Sequence, residues 1–216
     1  MNDDELIPVV KETHLSQKPS EESGFVAAMS LAVIVGASLI YWFDIAGLAS
    51  KLPANGERVF RHNEYWRLFT TIFVHADLRH LLSNAVGVGA LSYLLYGYFG
   101  SIVYPWISLG SGVVITLVAL TTYPPHVYLL GASGVIYFMA AFWLTLYLFL
   151  ERRYSTGKRF LRATGFALIV LVPTSFNPET SYRTHGLGFI VGVIFAIIYF
   201  IVYRDGFRSA EIIEWE

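Results

Sequence analysis

Six stretches of mostly apolar residues constrain this chain more than anything else in it: Phe25–Phe43, His80–Phe99, Ile102–Leu120, Ser133–Leu150, Phe160–Val172 and Gly186–Tyr203. A hydrocarbon layer about 30 Å thick takes roughly 20 apolar residues per helix, and within it each backbone N–H and C=O must be satisfied inside the segment. The pattern predicts an all-α fold: a polytopic membrane protein whose residues 25–204 form one compact bundle of six spanning helices. The fifth stretch is the shortest and carries Arg162, which is expected to snorkel toward the interface. Residues 1–24 are polar and mostly acidic, without the basic start of a secretory signal, and are expected to be a short disordered tail, with 205–216 a second short tail.

Composition closes off several functions. With 55% hydrophobic and only 14% charged residues, the chain is too apolar for a soluble domain of its size. Having no cysteine, it cannot use a thiol nucleophile, a disulfide or a cysteine-built metal site. A net charge of -1 provides no basic field for nucleic acid, which is discarded as a partner.

Lysine and arginine set the expected orientation. The densest basic cluster, Arg152, Arg153, Lys158, Arg159 and Arg162, follows the fourth stretch and is placed in the cytoplasm, which puts both termini there too. Nine basic residues then lie inside and six outside, in what is expected to be a cell membrane. The segment Asp44–Arg79 is too long for a turn and contains Tyr65-Trp66-Arg67-Leu68-Phe69, a mixture suited to the membrane interface. Such a loop is either functional or ordered by its own packing.

In this topology stretches two, four and six run the same way, and each opens on polar residues. His80 and Asn84 are four apart and share a helix face. Ser133 stands in Gly131-Ala132-Ser133-Gly134. His185 precedes Gly188 and Gly192 at intervals of three and seven, so its ring projects along a seam of small residues that permits close helix contact. If that seam meets the fourth helix, where Gly131 and Gly134 remove bulk, the Ser133 hydroxyl comes within reach of His185, the geometry a nucleophile and its base require. The nearest acids are Asp77 and Glu179, both in loops, so a dyad is expected rather than a triad. Tyr137, one turn from Ser133, is expected to pack on the imidazole and hold its rotamer. Asn84, His80 and the backbone N–H of Ser133 form the expected oxyanion donors.

These residues resemble the rhomboid family of intramembrane serine proteases. Gly131-Ala132-Ser133-Gly134 matches its Gly-x-Ser-Gly pattern, His80 and Asn84 its His-x-x-x-Asn, Trp66-Arg67 its Trp-Arg pair, and His185, Gly188 and Gly192 its last pattern, with Thr184 where the family has alanine. His75 also stands upstream, as the family often has it. The resemblance implies a serine endopeptidase that cuts transmembrane protein substrates near the outer boundary of the lipid bilayer. It implies no cofactor and no metal, a central fourth helix, and a fifth helix that can move aside.

Each feature alone has a plainer reading. Serine beside glycine is often helix packing, His80 with Asn84 an interhelical pair, and His75 and Trp66-Arg67 props for the first loop. His14, His62 and His126 are assigned no role. Three rival functions stay open: an inactive relative that binds membrane clients, a small transporter, and a metal site built from His75, His80 and His185. Small-residue seams serve dimers and internal packing alike, so oligomeric state is unknown.

Overall fold

The computed structural model describes residues 7–175 and 181–216; Glu179 lies outside them. In chain order the elements are β1 (Pro8–Glu12), α1 (Ser23–Trp42), β2 (Ala54–Asn55), α2 (Arg67–Thr70), α3 (Leu78–Ser101), α4 (Ser108–Leu120), β3 (Tyr128–Leu129), α5 (Ser133–Leu150), α6 (Thr156–Ser175), α7 (Tyr182–Ser209) and β4 (Ile212–Trp215).

Among the described residues, four helical runs are long and apolar enough to cross a membrane: Ser23–Trp42, the 43-residue run Leu78–Leu120, Ser133–Leu150 and Tyr182–Ser209. The second run divides into α3 and α4. At Gly100 the backbone turns to φ 76, a conformation open to a residue without Cβ. Pro105 then has no N–H to give a helix, and regular α-helix resumes at Ser108, not at the expected Ile102. The 20-residue α6 is also long enough, but Lys158, Arg159 and Arg162 in its first two turns set it apart from the apolar runs.

The bundle is arranged around α5. Of its residues 61% are buried, against 17% in the spanning windows of α1 and α7, and it packs on α3, α4, α6 and α7. Phe138, Phe142, Ile136 and Leu146 on α5 are fully enclosed. The outer helices carry the reverse pattern: Met29, Ile190, Ile194, Ile198 and Ile201 are exposed. So broad an apolar surface would aggregate in water and is what lipid tails cover.

A disordered tail is expected over residues 1–24; the described part of it, residues 7–24, contains a strand and the start of α1. β1 pairs antiparallel with β4, Val9 opposite Glu214 and Val10 opposite Ile213. Next to it, His14 lies between Phe99 and Phe207, ring centroids 5.7 and 5.1 Å away, with Nε2 2.7 Å from the Tyr98 carbonyl oxygen. Backbone pairing and the burial of Leu15 therefore prevail over the acidic composition. β1 and β4 meet at one end of the bundle. The loop after α5 joins them through a 2.8 Å ion pair from Arg152 to Glu211. Ser133, at the start of the 18-residue α5, lies about 27 Å away toward the other end.

Residues 43–77 are ordered by packing of their own. Arg67, 3% exposed, donates to the carbonyl oxygens of Ser50 (2.8 Å) and Pro53 (2.9 Å) and pairs with Glu64. That bond to Arg67 holds the Glu64 carboxyl below the usual carboxylate range. Trp66 stays half exposed beside it. The segment is stitched to the chain ahead of α5 by the β2–β3 pair and by the Gly131 N–H bonding the Thr71 carbonyl at 2.9 Å.

Candidate active site

Helix α5 begins at Ser133 itself, after a turn in which Gly131 adopts φ 112. A side chain at 131 would be strained there, and its Cβ would lie 2.6 Å from His80 Cε1 and 2.7 Å from Nε2. Glycine is thus required twice over, and His80 is pressed against the turn that delivers Ser133. Residue 133 is half-buried. As the first residue of a helix its N–H has no partner four residues back, which leaves a donor for a ligand.

The α5–α7 seam brings the second group in. A Cβ on Gly188 would stand 2.4 Å from the Gly134 carbonyl oxygen, and one on Gly192 2.3 Å from that of Phe138. The two backbones therefore touch. At the top of the seam a Cβ on Gly134 would meet the Thr184 methyl at 2.7 Å, so the residues next to Ser133 and His185 are in van der Waals contact. Thr184 occupies this place with its side chain already bonded to Ser181, the cap of α7.

His185 is 4% exposed and lies in the first turn of α7, not ahead of the helix. Its ring stacks on Tyr137, centroids 4.0 Å apart and planes 16° from parallel, with Tyr182 edge-on at 6.4 Å. Its Nδ1 is buried and has no hydrogen-bond partner among the described residues. Asn84 is fully buried in α3. Its Nδ2 donates to the His80 carbonyl at 2.9 Å, which uses one of its two N–H bonds, and its Oδ1 is unpartnered among the described residues. Asp77, considered above as a loop acid, caps α3 by accepting from the His80 N–H at 2.8 Å. An Asp just ahead of an apolar run is a signal by which that cap is legible in sequence.

His75, expected only as a prop for the first loop, reaches the turn ahead of Ser133. It has no exposed surface and lies 5.0 Å from the His80 ring. Its Nε2 accepts from the Ala132 N–H at 3.4 Å, and its Nδ1 lies 3.0 Å from Ser38 Oγ on α1. The Trp42 indole N–H donates to the His75 carbonyl at 2.7 Å. An Nε2 that accepts leaves the proton on Nδ1, so Ser38 is the acceptor that fixes the tautomer. Burial first, and then the neighbouring His80, push this imidazole down to about 3, so it is neutral at ordinary pH. With both nitrogens occupied, His75 is a poor candidate for the metal site considered above, and no group of three or more His, Asp or Glu side chains among the described residues is arranged to hold an ion. Ser38 gives no sequence signal, since a lone serine in an apolar stretch reads as packing.

A helical bundle with lipid-facing walls, a central helix opening on a serine, and polar side chains gathered at one end of it defines a polytopic membrane protein with an enclosed polar site. The rhomboid domain model matches residues 62–202, and the chain belongs to the rhomboid family. Among curated proteins it is 26% identical over 161 residues to one named "Putative rhomboid protease YdcA" from Bacillus subtilis (strain 168), covering 74% of this chain and 77% of that one. It is 33% identical over 134 residues to a protein of Acanthamoeba polyphaga mimivirus whose name describes it as a putative rhomboid protein, covering 59% and 71%.

Proposed function

We propose that this chain is an intramembrane serine endopeptidase that cuts transmembrane protein substrates near the outer membrane boundary. In this reading α1, α3, α4, α5, α6 and α7 are six spans, both termini and the basic loop after α5 are cytoplasmic, and Ser133 faces outward in the cell membrane.

Ser133 is the nucleophile and His185 the base. The imidazole takes the hydroxyl proton as Oγ adds to the scissile carbonyl, and returns it to the departing amine as the intermediate collapses to an acyl-enzyme. Water then repeats the cycle in the second half and releases the acid. The tetrahedral oxyanion is held by the Ser133 N–H, the Asn84 amide and His80, each such donor contributing about 3 kcal/mol where one has been removed from other enzymes. No carboxylate is needed. Among the described residues the Nδ1 of His185 has no hydrogen-bond partner, and the Tyr137 stack supplies the orientation that an acid supplies in a triad.

The observation that carries this reading is the close approach of Gly134 to the Thr184 methyl and to the backbone of Gly188, which brings the start of α5 against the first turns of α7. The test is cleavage of a model single-span substrate by purified protein in liposomes. Wild type should cut near the outer end of the substrate helix, and folded Ser133→Ala and His185→Ala should not. An inert wild type whose Ser133 also resists a fluorophosphonate probe would favour a client-binding protein on the same fold.

A further inference from the structure

On the side of α5 away from α7, a cavity of about 630 Å³ runs between α1, the loop that follows it, α3 and the chain from Tyr104 to Leu109 that leads into α4. We propose that it is an acyl-chain site, which holds one hydrocarbon chain of a bilayer phospholipid against the wall that carries Ala132, the residue before Ser133. The inference does not depend on the protease reading.

The chemistry of the walls selects the occupant. Four side-chain hydroxyls line the cavity, and each has already spent its hydrogen. Tyr104 donates to Ser30 Oγ at 2.6 Å, Ser30 to the Val26 carbonyl at 2.7 Å, Thr70 to the Leu52 carbonyl at 2.8 Å, and Tyr96 to the Glu22 carboxylate. A headgroup or an extended peptide placed inside would leave polar atoms without partners, at a cost a hydrocarbon chain does not bear.

Its shape agrees. The cavity follows α1 from Phe25 to Ala37, about 18 Å at 1.5 Å per residue, an elongated slot along the helix. Its mouth is continuous with the bilayer: Phe25, Met29 and Val33 line it and are also 69%, 49% and 46% exposed on a helix apolar enough to span. The inner wall is Ala132, Val135 and Met139, all at most 4% exposed. A chain seated there fills a void whose lining otherwise lacks contacts on one side. It also backs Ala132, whose N–H is bonded to His75.

The test uses the full chain in liposomes that contain a phospholipid with a photoreactive diazirine near the end of one acyl chain, followed by mass-spectrometric mapping of adducts. The expected result is adducts on Val135 or Met139, which only a chain inside the cavity can reach, together with adducts on exposed Phe25. Ala37→Phe, which narrows the slot, should cut the inner adducts at least tenfold and leave those on Phe25, whose persistence reports a folded, inserted protein. Adducts confined to Phe25, Met29 and other outward positions in wild type would overturn the proposal. So would labelling of Met139 by a water-soluble diazirine in place of the lipid probe, or inner adducts undiminished in Ala37→Phe.

Discussion

Tyr137 and His185 lie face to face, ring centroids 4.0 Å apart and 16° from parallel, beside a seam where Gly188 and Gly192 bring α7 against the backbone of α5. An aromatic pair of this kind is worth about 0.5–1.5 kcal/mol beyond the area it buries, which is up to roughly tenfold in a rate that depends on ring orientation. Tyr137→Phe keeps the ring and should cleave a model substrate at close to the wild-type rate. Tyr137→Ala should lower kcat about tenfold while KM changes little. Equal loss in both variants would mean that the hydroxyl, not the ring, matters.

Gly188 and Gly192 should tolerate no side chain. An alanine at either would place Cβ 2.4 or 2.3 Å from a carbonyl oxygen of α5, so the helices must separate. The expected loss is about 1–3 kcal/mol in each variant, read as a lower midpoint of unfolding in mixed detergent. Gly206→Ala, on the same helix with nothing within 4 Å, is the control and should be neutral or slightly stabilising.

His75 makes the stability of the fold depend on pH. Folded, it stays neutral down to about 3; unfolded, it takes up a proton near 6.5. The unfolded chain therefore binds the extra proton in that window. Stability from this group is intact above 6.5 and declines by up to about 1.4 kcal/mol per pH unit as pH falls from 6.5 toward 3. His75→Gln does not titrate, and its oxygen can still accept from the Ala132 N–H. Thermal unfolding at pH 7.5 and 5.0 should show wild type losing more stability on acidification than this variant. Parallel losses in the two proteins would refute the assignment.

Arg67 should be indispensable to the loop before α3. Arg67→Ala leaves the Ser50 and Pro53 carbonyl oxygens without their shared donor and the Glu64 carboxylate without its partner, a loss on the order of 1–3 kcal/mol. Limited proteolysis within residues 44–66 should accelerate in that variant. Arg67→Lys should rescue it only in part, because an ammonium lacks the planar fork that serves several acceptors at once.

Much of the site was legible because its residues repeat helical spacings. Ser133 was expected to open a helix and does so at that residue, and Gly188 and Gly192 were expected to form a close seam and do. The link from Ser38 through His75 to Ala132 was not legible, since it joins a helix, a loop and a turn through single polar atoms with no period. The ordered N-terminal segment was missed for a related reason. Its acidic residues suggested a solvated tail, whereas its partner strand lies some 200 residues further on.

What this sequence determined by itself is what depends on neighbours along the chain. Apolar runs of spanning length and side chains three, four and seven apart are local properties, and they specified a polytopic helical fold and the faces its polar residues occupy. Only the tertiary structure decided which faces meet. The neutral His75 behind the Ser133 turn and the slot beside α1 arise where separate helices and loops come within a few ångströms. Such contacts are set by close packing over the whole bundle, in which each side chain's place depends on all its neighbours at once, and no short window of sequence records that.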